Sequence, residues 1–134
     1  MSGESNLDIL IKSMHPKINE GTYVFACVAM VEENILQKAI CIFKEENGIT
    51  LILKKEDAEL HRIQYEYEAC WITLTIHSAL QAVGLTAAFS TALAKENISC
   101  NVVAGYHHDH IFVAKSDSDK ALFTLNRLSN SQKV

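Results

Sequence analysis

Proline, glycine and positive charge are scarce in this sequence, and long apolar runs are absent. Its 134 residues include one proline, five glycines and 12 lysines and arginines against 16 aspartates and glutamates, for a net charge of -4. No basic cluster is longer than the pair Lys54–Lys55, which disfavours a nucleic-acid groove or contact with an anionic membrane surface. The longest apolar run, 23–31, has strand length and falls short of the roughly 20 residues that span a bilayer.

The sequence also lacks a recognisable secretion signal and closely spaced cysteines. The segment Met1–Ser5 has neither a basic start nor an apolar stretch, and we therefore expect a cytoplasmic protein. The four cysteines show no CxxC spacing and lie in apolar segments, so we expect buried, reduced thiols rather than disulfides. They are Cys27, Cys41, Cys70 and Cys100.

Hydrophobic periodicity predicts a mixed α+β fold. The predicted helices span 7–14, 55–60 and 85–96, and a last helix begins at Ser116. The predicted strands span 23–30, 39–44, 49–53, 71–77, 99–106 and 111–114. Between the third and fourth of these strands the polar stretch 64–68 separates two halves with similar element order. We therefore predict an N-terminal half, 1–66, and a C-terminal half, 67–134.

Two short motifs predict a hairpin turn and the end of a helix. Asn47–Gly48 can supply the positive φ of a tight hairpin turn, and Asn97 is a suitable terminator for the helix before it. In the C-terminal half, the order of strand, helix, strand, hairpin and strand is the first two-thirds of a βαββαβ unit. The last helix would turn one apolar stripe inward, formed by Ala121, Leu122, Leu125 and Leu128.

Several segments are similar to one known family. They are Leu7–Met14, Gly21–Phe25, Gly48–Leu53, His77–Leu80, Val83–Ala87, Ile98–Val102 and Ala104–Val113. In these segments the chain resembles the ACT domains of a group of small stand-alone bacterial proteins. Those proteins have an N-terminal ACT-like half and a C-terminal ACT domain. The resemblance implies a ferredoxin-like, βαββαβ-type ACT architecture, with two small intertwined halves, antiparallel sheets and helices packed on one face.

The same resemblance implies a function. ACT domains bind small ligands, often amino acids, and regulate a partner enzyme or transporter. In many ACT assemblies the ligand lies at an interface between two such units. We therefore expect a non-catalytic regulatory protein with a small-molecule ligand, which acts as a homodimer or higher homo-oligomer.

The C-terminal half lacks one strand of a complete ACT unit. After the last helix only 129–134 remain, and this segment is too polar and short for a core strand. We expect the strand at Tyr23–Met30 to occupy that place and to join both halves in one sheet.

The predicted ligand site lies where a helix start meets the end of a hairpin. In a ferredoxin-like sheet the first and third strands are neighbours, which would bring His77 and His110 to one edge. Unpaired amides at the start of the helix suit a carboxylate, and Asp109 suits an ammonium group. The predicted ligand-binding residues are His77, Val83, Gly84, Leu85, Thr86, His108, Asp109 and His110.

Several of these residues also have structural explanations. Asp109 is a favoured turn residue, and Thr86 is suited to a helix start. Gly84 can relieve crowding between a helix and a strand, and His77 can be a half-buried or interface histidine.

Metal binding and catalysis have weaker support in the sequence. The run His107–His110 offers imidazoles and a carboxylate, but adjacent strand residues point to opposite faces, so we expect no functional metal and no cofactor. Nucleophilic chemistry by Cys100 with His77 as base would need a thiolate in an apolar strand, so we expect no enzyme activity. The alternative function is a protein-interaction or oligomerisation module without a small ligand, which would dock through the Trp71, Thr73 and Thr75 face or an exposed strand edge.

Overall fold

A computed structural model describes residues 6–76 and 82–131. The described helices are α1 Leu7–Ser13, α2 Glu33–Leu36, α3 Lys55–Leu60, α4 Leu85–Lys95 and α5 Ser118–Ser131, the last preceded by a 3-10 turn at Lys115–Asp117. The described strands are β1 Pro16–Val28, β2 Cys41–Glu45, β3 Gly48–Lys54, β4 Glu66–Leu74, β5 Asn101–Ala104 and β6 Asp109–Ala114. This is the α+β architecture that the sequence predicts.

The sheet has the strand order β2-β3-β1-β4-β6-β5. The pairs β1–β3, β2–β3 and β5–β6 are antiparallel, with Phe25 opposite Ile52 and Val103 opposite His110. The chain forms two compact units, one made of Glu20–Ala69 and the other of Met1–Asn19 with Cys70–Val134. Strands β1 and β4 each contribute residues to both units.

The unit formed by Glu20–Ala69 is built on the helix-facing side of β1 and β3. Alternate residues of these strands are buried together with one residue from each short helix. This cluster consists of Val24, Ala26, Ile35, Leu51, Leu53 and Ala58. Helix α3 ends because Arg62 adopts a left-handed conformation, with φ 54°. The amide of Ile63 then donates to the carbonyl of Ala58 at 2.8 Å, which directs Ile63 back onto the cluster.

The other unit packs α1, α4 and α5 against one face of β4 and β6. Its fully buried side chains include Leu10, Met14, Ile72, Leu74, Phe89, Leu93, Ile111, Val113 and Leu125. Helix α4 ends like α3: Asn97, the predicted terminator, has φ 59°, and the amide of Ile98 donates to the carbonyl of Leu93 at 3.0 Å. α1 and α5 meet here, because the Ser129 hydroxyl donates to the Lys12 carbonyl at 3.1 Å.

Two strands begin earlier than the sequence predicts. β1 begins at Pro16 rather than Tyr23, and β4 begins at Glu66 rather than Trp71, so part of the predicted polar connector is a strand. The start of β4 is predicted too late because its first residues are exposed and polar. The Tyr67 ring nevertheless packs edge-on against Phe25, with ring centroids 5.8 Å apart. β6 begins at Asp109, which is therefore a strand residue rather than a residue of the hairpin tip.

β1 lies next to β4 in the sheet. Some of the residues that bond to β4 come before the predicted 23–30 strand. The Asn19 amide group donates to the Trp71 carbonyl at 3.2 Å, and the Thr75 amide donates to the His15 carbonyl at 2.9 Å. These bonds place the chain just after α1 beside β4, while residues from Tyr23 to Val28 pair with β3.

Candidate functional site

The start of α4 is the first part of the predicted site. Gly84 precedes the helix with φ 102°, and the first helical bond runs from the Ala88 amide to the Gly84 carbonyl at 2.9 Å. The amides of Leu85, Thr86 and Ala87 come before that bond and have no partner within the helix by position. Gly84 has no side chain with which to cap this end, and the first turn of α4 carries no acidic residue. An anion placed at this helix start would meet these amides and the positive end of the helix.

At the start of α4, backbone amides rather than side chains are the main candidate contacts for a ligand. The Leu85 side chain is 3% exposed and belongs to the core, whereas Val83 is 83% exposed and Thr86 is exposed. The structure gives Gly84 a structural role, because its φ favours glycine and a Cβ there would lie 3.0 Å from Cδ2 of Leu7. The crowding that it relieves is with helix α1, not with a strand as predicted. Thr86 is the second helical residue, so it does not cap the helix.

The β5–β6 hairpin is the second part of the site. The Gly105 amide donates to the His108 carbonyl at 2.9 Å, which closes the turn. The His108 ring is fixed by Nδ1, which lies 2.9 Å from the Ile76 carbonyl oxygen. Since a carbonyl only accepts, Nδ1 carries the proton, and Nε2 of a neutral ring is left as an acceptor. Ile76, Leu85 and Ile111 belong to one buried cluster, so the helix start and the hairpin adjoin the same core.

His110 lies on the face of β6 that the helices do not cover. Because strand residues alternate, His110 and Phe112 share one face of β6, while Asp109, Ile111 and Val113 share the face that the helices cover. Nδ1 of His110 accepts from the Trp71 indole at 3.0 Å. His110 therefore lies beside Trp71 and Thr73 in the last part of β4. The predicted convergence of His77 with His110 stays a prediction, because His77 lies outside the described residues.

The environment of His110 is a small polar network that the sequence analysis missed. Thr73 Oγ1 lies 3.1 Å from His110 Nδ1 and accepts from Asn19 Nδ2 at 2.9 Å. The Trp71 and His110 rings have centroids 5.6 Å apart. Alternation along 71–75 does place Trp71 and Thr73 on one face, but no local pattern identifies Asn19 as their partner.

Burial shifts the pKa values of the two adjacent titratable residues in β6. Desolvation raises the pKa of Asp109, against the attraction of His110 and His108. Desolvation also lowers the pKa of His110, with His108 acting in the same direction and Asp109 opposing it. A neutral His110 agrees with its geometry, because Nδ1 accepts the indole proton.

The predicted docking face is largely occupied by contacts within the unit. Thr73 is 7% exposed, and the Thr75 hydroxyl donates to the His15 carbonyl at 2.6 Å. The Trp71 ring stacks on Phe112 with centroids 6.2 Å apart. These contacts tie the three residues into the sheet, while Trp71 and Thr75 stay partly exposed.

The described residues offer little for metal or nucleophilic chemistry. Among residues 6–76 and 82–131, no three His, Cys, Asp or Glu side chains form a group that could hold a metal ion. Burial raises the pKa of the Cys100 thiol to about 11, so it remains protonated near neutral pH. All four cysteines are free, but only Cys70 is buried and Cys27 is exposed, which corrects the prediction of four buried thiols. None of the helices in the described part of the chain is long and apolar enough to cross a membrane.

Comparison with known proteins identifies two matching segments. The ACT-domain family matches residues 2–70, and a second ACT-domain description matches residues 66–127. No curated protein matches the chain significantly. Among solved structures, a Vibrio cholerae protein of unknown function, a possible transport protein, is 44% identical with a TM-score of 0.83, and the match covers 92% of this chain and 95% of that one.

Aspartate kinases share the fold at low identity. The Clostridium acetobutylicum enzyme is 15% identical with a TM-score of 0.64, and the match covers 88% of this chain but 34% of the enzyme. The ligand-free regulatory subunit of aspartate kinase from Thermus thermophilus is 10% identical with a TM-score of 0.58, and the match covers 84% of this chain and 95% of the subunit. These likenesses show a ferredoxin-like ACT architecture, as the resemblance implied.

Proposed function

Because the chain belongs to the ACT-domain family, whose members are typically regulatory domains that bind small molecules, we propose that it is a non-catalytic regulator that binds an amino acid. The ligand carboxylate meets the amides at the start of α4, and its ammonium group meets Asp109. His108, through Nε2, adds an acceptor, and Val83 contributes an exposed apolar contact.

One observation carries this proposal: α4 begins directly after Gly84, which takes the left-handed conformation and has no side chain to cap the helix. Gly84 brings no side chain to the first turn, and that turn has no acidic residue to compete with an anion. The half-buried Asp109 supplies a negative group at a hairpin that adjoins the same core. A zwitterion needs two such opposite charges, and a regulatory effect then needs different affinities in two states of the protein.

A thermal-shift screen of the twenty amino acids tests the ligand class. A ligand that binds only the folded protein raises the melting temperature with its concentration. We expect at least one amino acid to do so at millimolar concentration. If none does, the amino-acid proposal fails.

Substitution of Thr86 tests the location. Thr86→Asp places a carboxylate in the first turn of α4, which stabilises the helix by roughly 0.3–1 kcal/mol yet repels a bound carboxylate. We expect a protein of equal or higher melting temperature that no longer responds to the ligand. Thr91→Asp, at an exposed position further along the same helix, is the matched control and should keep the response.

Asp109→Asn tests the second half of the site. The variant keeps the shape of the side chain but loses the charge, so we expect weaker binding of the amino acid and unchanged binding of its deaminated carboxylate analogue. Equal weakening of both ligands would assign Asp109 a structural role only.

The oligomeric part of the proposal is supported by the edge strand β2. The sheet order leaves β2 paired on one side only, and Phe43 on this strand is 65% exposed while Ile42 is 36% exposed. Such an edge favours pairing with another chain. We expect Phe43→Lys to shift the protein toward monomer in analytical ultracentrifugation, and Val102→Lys on the other edge strand, β5, to act as its control.

The same edge strand favours the alternative function, a protein-interaction module without a small ligand. That alternative predicts no thermal response to any amino acid and loss of a bound partner protein on Phe43→Lys. The regulatory proposal predicts that Phe43→Lys leaves the protein able to respond to its ligand.

A further inference from the structure

The unit formed by Glu20–Ala69 packs both of its short helices, α2 and α3, against one side of its sheet. Alternate residues of β1 and β3 point toward the buried cluster on that side, so the residues between them point to the opposite side. The register extends this alternation to β2. We call the opposite side the open face. Its residues are Phe25, Cys27, Cys41, Phe43, Thr50 and Ile52.

Several side chains of the open face are accessible to solvent. Phe43 is 65% exposed, and Cys27 is exposed. The half-buried members are Phe25, Cys41 and Thr50. A large aromatic ring in water beside further apolar groups marks a surface that another molecule can cover.

The open face has two neighbouring rows of side chains that run across the strands from β2 to β1. The first row is small, large and large in size: Cys41, Ile52 and Phe25. The second row is large, small and small: Phe43, Thr50 and Cys27. A two-fold axis that lies in the plane of the face, across the strands and midway between the rows, places the first row of one copy on the second row of another. Each large side chain then meets a small one.

Opposite charges lie at the two ends of the open face. Glu45 lies opposite Gly48 beyond the second row, and Lys54 lies on β3 beyond the first row. The axis exchanges the two ends, so Glu45 of one copy would lie near Lys54 of the other. Gly48 has no side chain there, which leaves room for the lysine. The open face is therefore complementary to itself in charge as well as in size.

Both charged groups are available for this contact. The Thr50 hydroxyl donates to the Glu45 carboxylate, which holds that carboxylate over the open face. Lys54 Nζ lies 4.0 Å from Glu56 Oε1, and the lysine side chain is 48% exposed. An ammonium group in so loose a pair gains from a closer carboxylate in the dimer.

We propose that the open face is a contact surface between two copies of this chain, which pack face to face with their strands antiparallel about this axis. Stacked sheets lie about 10 Å apart, a spacing that interdigitating large and small side chains fill. The inference rests on the homo-oligomeric part of the proposed function and names the surface that meets the second copy. Three strands give a small interface, so we expect a reversible dimer with a Kd on the order of 10–100 µM.

Charge reversal tests the axis, and sedimentation equilibrium of the full chain measures the dimer. Glu45→Lys and Lys54→Glu should each weaken the dimer about tenfold, because the two-fold axis makes each substitution act twice. The double variant restores both pairs with exchanged signs, so its Kd should return to within about threefold of the wild-type value. Lys44→Glu is the matched control for net charge. Its side chain lies on the helix-covered side of β2, and it should leave the dimer unchanged.

Two further variants separate this contact from pairing along the β2 edge. Cys27 lies on β1, inside the sheet, and would meet Phe25 of the other copy, so Cys27→Glu should weaken the face-to-face dimer at least about tenfold and leave edge pairing intact. Ile42→Lys lies on the helix-covered side of β2 and should weaken edge pairing only. Phe43 takes part in both contacts, so Phe43→Lys weakens either.

Three results would overturn the proposal. The first is a wild-type chain that stays monomeric up to about 1 mM, which also removes the homo-oligomeric part of the proposed function. The second is a double charge variant that dimerises no better than the single variants. The third is association that depends on Ile42 and not on Cys27, which leaves edge pairing as the contact. The thermal response to an amino acid should persist in Cys27→Glu, so the ligand proposal is tested separately.

Discussion

His110 is the residue whose environment departs most from its predicted role. Its Nδ1 accepts the indole proton of Trp71 and lies 3.1 Å from the Thr73 hydroxyl, so it ties β6 to β4 on the sheet face opposite the helices. The lowered pKa of His110 means that the unfolded chain takes up a proton at higher pH than the folded protein. Stability should therefore fall as the pH drops below the unfolded value of about 6.5.

His110→Asn tests this linkage, because its Oδ1 can accept the same indole proton but does not titrate. We expect the variant to lose less free energy of unfolding than the wild type between pH 7.5 and pH 5, as measured by urea denaturation. Parallel pH profiles of the two proteins would contradict the prediction. All other side chains are the same in both proteins, so the difference between the two profiles reports His110.

The raised pKa of Asp109 has the opposite effect on folding stability, and it acts at lower pH. Its pKa is raised by burial, so the folded protein binds a proton at a pH where the unfolded chain is still ionised. Protonation of this group therefore favours folding as the pH falls toward its ordinary value of about 3.9. Asp109→Asn should remove that contribution, which separates it from the effect of His110.

The helix ends show how a single backbone conformation directs an element. Arg62 and Asn97 both follow a helix in the left-handed conformation, and in each case an isoleucine one residue later bonds back to the last turn. Asparagine tolerates this conformation, but arginine does not favour it. The end of α3 is therefore more strained than the end of α4.

Arg62→Gly is expected to raise the free energy of unfolding by roughly 0.5–1 kcal/mol, because glycine adopts a positive φ without a Cβ clash. Arg62→Ala is the control for loss of the charge and should give no gain, since alanine keeps the clash. Thermal and urea denaturation measure both. A gain with alanine equal to that with glycine would assign the effect to charge instead.

At the same scale, the sequence predicts elements better than their beginnings. Helical spacing locates α1, α4 and α5, and Asn97 marks the end of α4, because these signals are local. The start of β4 is missed because Glu66 and Glu68 are polar and exposed, and their strand conformation depends on a neighbouring strand that is distant in the sequence. The Gly84 turn is likewise predictable, whereas the pairing of His110 with Trp71 and Asn19 depends on register across the sheet.

For the whole molecule, the predicted boundary between the halves 1–66 and 67–134 has a testable consequence. The compact unit that contains the C-terminal residues also includes α1 and the first residues of β1. α1 buries Leu10, Ile11 and Met14 there, with exposures of 0%, 5% and 1%. Burial of each such side chain stabilises the unit by roughly 1.5–3 kcal/mol. The sum for the three is comparable to the total stability of a small domain.

A fragment of residues 67–134 should therefore not fold alone. We expect weak dispersion in its proton NMR spectrum, and recovery of native dispersion when a peptide of residues 6–20 is added. A fragment that is fully folded without the peptide would contradict this prediction. The full chain provides the reference spectrum.

The bond between Ser129 and Lys12 has a consequence for biosynthesis. The segment that carries Lys12 finds this partner only after α5, 117 residues later in the sequence, has been translated. Until α5 has been made, the apolar side of α1 stays exposed to solvent, and exposed apolar surface favours chaperone binding. This unit can therefore be completed only after α5 has been made, by closure of a loop of 117 residues, which is entropically costly and slow.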